Sequence, residues 1–202
     1  MMNATTNRPN KNQERGRSTR ARLLDVATQL FAEYGFEHTS VELVLEQANV
    51  SKGSLYHHFA NKEELFEAVL DAVEARVAQA TLAAARDIRE PMAALRAACL
   101  AWLRLARDPV VRQIVLLDAP AVIGWEKWRE IDDRHAFGLL KRAVEAAGPD
   151  RRQGVPAELV AHVLLASIIE LAMLIARSKS PKKAMVSAEQ ALDRLFAGLF
   201  DH

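Results

Sequence analysis

Apolar residues recur along this chain at offsets of three, four and seven, the spacing of one helical face, and nowhere alternate over a useful length. In residues 18–34 the stripe is Leu23, Leu24, Ala27, Leu30, Phe31 and Tyr34, and Gly35 closes the helix as a C-cap. Val41, Val44, Leu45 and Ala48 form a second, shorter stripe. Thr39 or Ser40 stands where its N-cap belongs, and Asn49 ends it, because Asn tolerates the left-handed conformation of a C-terminal turn. Ser51 caps a third helix whose inward side needs only Leu55 and Phe59. Asn61 opens a fourth, with Glu64 as capping-box partner and Leu65, Phe66, Val69, Leu70, Val73 and Val77 on one face.

The later chain continues in helical period. Pro91 sits at the N1 position of a helix over 92–107, a short helix covers 110–117, and 118–124 reads as a loop punctuated by Pro and Gly. A long helix is predicted over 125–147, a polar connection over 150–155, and two further helices over 156–178 and 182–200. The segment 159–176 is apolar nearly all round, so it is either central to its domain or shared with a partner. The last helix carries Met185, Ala188, Leu192, Leu195, Phe196 and Leu199 on one side. Two such helices from each of two subunits would make a four-helix interface; the alternative is a monomeric core.

Composition sharpens this picture in three places. Half the 202 residues are hydrophobic and Ala, Leu, Glu and Arg dominate, which supports an all-α fold. Cys99 is the only cysteine, so no disulfide within the chain and no cysteine metal cluster is possible, and a reducing cytoplasm fits. No apolar signal core opens the chain; 159–176 comes nearest to a membrane span, but His162 and Glu170 interrupt it, so no membrane association is expected. Net charge is only +1, yet Arg8, Lys11, Arg15, Arg17, Arg20 and Arg22 face a single acid, Glu14, before Leu23. Residues 1–17 read as a disordered basic arm, either following DNA phosphates or simply solvated. Arg20 and Arg22 would lie in the first turn of the following helix.

The third helix leaves Lys52, Gly53, Ser54, Tyr56, His57 and His58 with no core to enter. Small, hydroxylic, aromatic and basic side chains on a short helix suit the floor of a DNA major groove. The string Val50-Ser51-Lys52-Gly53-Ser54-Leu55-Tyr56-His57-His58-Phe59, closed by Asn61-Lys62-Glu63-Glu64-Leu65, resembles the helix-turn-helix of TetR-type transcriptional regulators. The close resemblance covers roughly residues 19–70; the family usually has Gly at the turn, where this chain has Asn49. It implies an N-terminal three-helix DNA-binding domain with a helix-turn-helix (18–62), a connecting helix (63–80), and a C-terminal helical effector-binding and dimerisation domain (81–202). It implies a homodimer through the last two helices, double-stranded operator DNA as partner, a small-molecule effector and no cofactor. Two recognition helices would then meet a pseudo-palindrome with half-sites about one turn, roughly 34 Å, apart or somewhat more.

On this reading Ser51, Lys52, Gly53, Ser54, Tyr56, His57 and His58 meet DNA, with Thr39, Ser40, Val41 and Glu42 at the start of the supporting helix close to the groove. Glu42 could accept from a cytosine amino group. Tyr56 and Lys62 would anchor phosphates, Lys62 from the first turn of the fourth helix. Effector candidates are polar or aromatic groups within apolar helices: Trp102, Trp125, Trp128, His135, Phe137, His162, Glu170 and Met173. Taken singly, each is more often explained by core packing or a satisfied buried hydrogen bond. Glu170 is the most suggestive, since a carboxylate amid Ile and Leu needs a partner, from a ligand or across a dimer. Two other classes stay open. One is a helical protein-interaction module in which 52–59 only packs. The other is a helical enzyme using 125–137, with Asp132, Asp133 and His135 near Glu130 as its chemistry. No phosphate-cradling Gly loop, nucleophile elbow or metalloprotease signature supports the enzyme, so no catalytic residue and no metal site is expected.

Overall fold

The computed structural model describes residues 11–148 and 155–200. Helices α1 (Lys11–His38), α2 (Val41–Ala48), α3 (Lys52–His58), α4 (Lys62–Ala85) and α5 (Pro91–Leu105) lead into a π-helical segment, Val111–Asp118. Helices α6 (Ala119–Val122) and α7 (Trp125–Asp132) precede a second π segment, Asp133–Phe137. Helices α8 (Gly138–Ala147), α9 (Ala157–Arg177) and α10 (Pro181–Phe200) follow. The fold is all-α, as the periodicity requires.

The apolar stripes become the core. Leu23, Ala27, Leu30 and Phe31 of α1 are buried against Val44 and Ala48 of α2, Leu55 of α3, and Leu65, Phe66 and Val69 of α4. Phe31, Phe36 and Phe66 lock this cluster, with ring centroids 5.2–5.8 Å apart. Helix α4 belongs to both halves. Its first turns close the three-helix unit, and its later turns pack along α5, which packs in turn on α8 and α9.

Several expectations change. Residues 1–10 of the expected arm lie outside the described residues, but 11–17 are the first turns of α1 rather than an arm. Gln, Glu and Arg favour helix there, and the added turns have a neighbour to lie on. A Cβ at Gly16 would stand 3.9 Å from the His58 ring, and the Arg20 guanidinium sits 5.3 Å from the Phe59 ring centroid. Tyr34 leaves its stripe and is 47% exposed, because Gly35 (φ 77°) breaks the helix and turns Phe36 inward instead. The expected loop over 118–124 contains α6, whose Pro120 falls in the first turn, where a missing N–H costs nothing. The single helix over 125–147 is interrupted by the second π segment. Glu64 reaches back to the N–H of Ala60 (2.6 Å) rather than to its cap residue, while Asn61 accepts from the Glu64 N–H at 2.7 Å.

Helix α9 is long and apolar enough to cross a bilayer, with a mean hydropathy of 2.4 over 18 residues. Most of that window is instead buried within the helical bundle, against α5, α8 and α10. The exposed residues include one stripe, Leu159, Val163, Ala166, Glu170 and Leu174, at offsets of four, three, four and four, with His162 beside it. Glu170 is therefore exposed on this face and not embedded among the Ile and Leu of the core, which corrects the expectation of a buried carboxylate.

Candidate nucleic-acid interface and effector cavity

Helix α3 is held from one side only. Leu55 and Phe59 are buried, four residues apart, so the helix has a single inward row. Ser51 caps it, its Oγ accepting from the Ser54 N–H at 3.3 Å. Ser40 does the same for α2, accepting from Leu43 at 3.1 Å. Each hydroxyl keeps its own proton free to donate outward. Asn49 adopts φ 50°, ψ 53°, and the N–H groups of Asn49 and Val50 return to the carbonyls of Glu46 and Leu45. The turn thus forms with Asn in the place of Gly.

The opposite face of α3 is open. Ser51, Lys52, Gly53, Tyr56 (45% exposed) and His57 face solvent, while Ser54 and His58 are half-buried. The Lys52 amino group lies 5.9 Å from the Tyr56 ring centroid and 4.0 Å from a Glu42 carboxylate oxygen. Both side chains of that ion pair are largely exposed, so it constrains neither strongly. A Cβ on Gly53 would meet nothing within 4 Å. No internal contact demands glycine there. Burial, with His57 and Arg20 nearby, holds the His58 imidazole below the usual histidine range. Glu42 is exposed and Val41 half-buried beside this face.

Two candidate DNA contacts are placed otherwise. Thr39 is fully buried, its hydroxyl 2.8 Å from the Gly35 carbonyl and 3.2 Å from that of Leu30. It seals the break after α1 and cannot reach a groove. Lys62 is turned inward as well. Its amino group donates to the carbonyls of Phe36 (2.9 Å) and Thr39 (3.2 Å) and lies 3.9 Å from the Phe36 ring centroid. The phosphate-clamp expectation for Lys62 gives way to a strut. The reason is that Gly35 exposes carbonyls in the 36–39 turn that a cation one helix away can satisfy.

The second feature is a cavity of about 200 Å³ between α4, α5, the second π segment with α8, and α9. Its walls are apolar, including Val77, Leu95, Leu139, Leu140, Leu165 and Ile168. Of the effector candidates, Trp102 and His135 line it. Trp125 is exposed and packs edge-on against buried Trp128, with centroids 4.8 Å apart, away from the cavity. Met173 is core, Glu170 is on the outer face, and Phe137 stacks on exposed His162 at 4.2 Å. The π segment explains the position of His135: one extra residue per turn re-aims the side chains that follow it. His135 Nε2 lies 2.9 Å from Asp71 Oδ1, which also accepts from Arg134 at 3.1 Å. Asp132 is buried beside Arg129 (3.4 Å). Among the described residues no three His, Cys, Asp or Glu side chains gather as a metal centre.

Comparison with known proteins decides the family. The model of the tetracycline-repressor-like C-terminal domain matches residues 92–199, more than half of the chain, and that of the bacterial regulatory proteins of the TetR family matches 23–69. This chain belongs to the TetR family. A TetR-family transcriptional regulator from Pectobacterium atrosepticum is 28% identical, with a TM-score of 0.81 covering 96% of this chain and 99% of that one. The HTH-type transcriptional regulator UidR of Escherichia coli K12 is 38% identical over 58 residues, 29% of this chain and 30% of that protein. This chain matches less than a third of the length of the first curated relatives. FadR of Bacillus subtilis, solved with stearoyl-CoA, shares the fold at 15% identity (TM-score 0.69, 89% of this chain and 98% of that one).

Two side chains of this TetR-family protein matter to its sites and stood outside the candidates. Asp118, at the end of the first π segment, accepts from the Phe36 N–H at 2.8 Å and from Gln113 at 2.9 Å, fastening the C-terminal domain to the joint after α1. Burial pushes its carboxyl above the usual range against those two hydrogen bonds. Its partner lies 82 residues away, so no local pattern marks it. Glu74 was detectable: it stands three residues before Val77 and four after Leu70, on the buried face of α4.

Proposed function

We propose that this TetR-family protein is a ligand-responsive transcriptional repressor that binds a pseudo-palindromic operator as a homodimer in the cytoplasm. The open face of α3, with an uncrowded glycine beside Lys52 and Tyr56, is the observation that carries this reading. Lys52 and Tyr56 reach phosphates, Gly53 lets the DNA backbone approach, and His57, with Ser54 and Glu42, addresses base edges. The exposed apolar stripe of α9 supports a dimer through α9 and α10, since a face of this size on a long helix is suited to a second copy. Glu170 then lies within that interface. The cavity supports an effector whose uptake shifts α4, the helix shared with the reading unit, and moves the two heads out of register. The apolar lining of the cavity favours an effector with an apolar body.

The test is selection from randomised DNA duplexes by the ligand-free protein, with Lys52→Ala and Tyr56→Phe run in parallel. Enrichment of one inverted repeat by wild type alone, weakening steeply with salt, is the expected result. Equal enrichment by all three proteins would take Lys52 and Tyr56 out of the reading face, and no enrichment at moderate salt would leave α3 as a packing unit of a protein-interaction module. Gly53→Ala separates folding from reading. Because the added methyl meets nothing and Ala is the better helix former, it is expected to stabilise the protein by about 0.5–1 kcal/mol. The same variant should bind the selected operator at least roughly tenfold more weakly, the cost of one lost close phosphate approach. Thermal melts and a DNA titration check both signs.

A further inference from the structure

The cavity has one unusual constituent. Glu74 of α4 lines it and is 2% exposed, and its Oε1 has no hydrogen-bond partner. Two arginines and a histidine of the 129–135 segment are paired elsewhere. Arg134 and His135 are held by Asp71, and Arg129 lies against Asp132 and Asp133. The remaining charges act against Glu74: Asp132 from α7 and Asp71 from its own helix both raise its proton affinity, on top of burial. Helix α5 contributes Cys99, whose buried thiol is pushed up to about 12 and stays neutral. Among the lining residues, those from α8 and α9 are apolar. One end of an apolar cavity is therefore an uncompensated carboxyl in a field of like charge.

We infer that the effector of this protein is an amine with an apolar body, its ammonium group meeting Glu74 while its hydrocarbon fills the space between α4, α5, α8 and α9. The inference rests on the reading of the cavity as the effector site and assigns its ligand class. An ammonium supplies the donor that Oε1 lacks and relieves the repulsion from Asp71 and Asp132 together. A carboxylate or phosphate head would add to that repulsion. A hydroxyl would satisfy one hydrogen bond and leave the field uncompensated. Binding is proton-coupled: the amine enters as ammonium, the Glu74 carboxyl gives its proton to the solvent, and the buried pair is neutral overall.

Calorimetric titration of octylamine, octanol and octanoate into the full chain at pH 7 holds the tail constant and changes only the head. Wild type should bind octylamine at least about tenfold more tightly than either of the others, the scale of a charge-assisted contact in a dry site. The amine enthalpy should vary with the ionisation heat of the buffer, reporting a released proton. Glu74→Gln, which keeps the shape, should bring amine and alcohol affinities within about twofold of each other. Octylamine that does not bind, that binds no better than octanol, or that keeps its preference in the Gln variant overturns the assignment. Operator binding by the ligand-free protein is measured separately. Its loss with amine selectivity intact counts against the repressor reading alone, and its persistence without selectivity counts against this inference alone.

Discussion

Lys62→Met is expected to lower the stability of the protein by about 2 kcal/mol, or roughly 5 °C in melting temperature, by removing a charged donor from two backbone carbonyls. Methionine fills much the same volume and keeps the contact with the Phe36 ring, so the loss isolates the amino group. The Phe36 and Thr39 carbonyls are then left in the turn that joins α1 to α2, next to the fully buried Thr39 hydroxyl. The measurement is a chemical denaturation curve beside an operator titration across salt concentrations. A strut predicts destabilisation with the salt slope of DNA binding unchanged. A phosphate clamp predicts the opposite pair: normal stability and a slope smaller by about one ion. Unchanged stability would show that solvent replaces the amino group at both carbonyls.

The second large effect is a pH dependence centred on Glu74. Its carboxyl is pushed up to about 8 in the folded protein, first by burial and then by Asp132 and Asp71, against an ordinary value of 4.5. A carboxyl whose proton is held more tightly when folded stabilises the fold fully below the ordinary value. That stabilisation is lost as pH rises from about 4.5 through 8. The span corresponds to a loss on the order of 5 kcal/mol. Asp132, raised to about 6 by burial with Arg129 opposing, adds to the fall over the lower part of that window. Melting temperature measured every half unit from pH 5 to 9 should therefore decline in wild type. In Glu74→Gln it should flatten above pH 6.5, leaving the variant higher at pH 8.5 by roughly 10 °C. A wild-type curve that stays level, or a Gln variant with the same slope, would mean that water reaches the carboxyl.

Both effects sit on helix α4, and this gives the proposed switch its physical route. Lys62 at its start braces the turn beneath the reading unit, and Glu74, three turns later, faces the cavity. Asp118 supplies a second tie, from the C-terminal domain to the N–H of Phe36. Charge introduced beside Glu74 bears on a helix whose other end holds the 36–39 turn. That is a packed two-ended element of the kind through which one site biases another.

The sequence by itself determined the helices that fold on local rules. The stripes at Val44 and Ala48, Leu55 and Phe59, and Leu65 to Val77 are buried as their spacing requires, and Ser40, Ser51 and Asn61 cap as their chemistry requires. The open face of α3 follows from the same count, because a helix of seven residues with Leu55 alone buried within it, and Phe59 buried at its C-cap, leaves its other side without a core to enter. Only the tertiary structure decided which polar groups are spent. Thr39 and Lys62 look like surface residues until Gly35 turns the chain and leaves carbonyls for them to satisfy. Trp102 and His135 reach the cavity while Trp125, Trp128, Glu170 and Met173 do not. That depends on a π segment and on which side of α9 faces in, and neither has a period to read. Glu74 shows the limit most clearly. Its place on an apolar face was legible, but whether another helix brings it a cation is a fact of packing over sixty residues of separation, and here Asp71, Asp132 and Asp133 hold the cations instead.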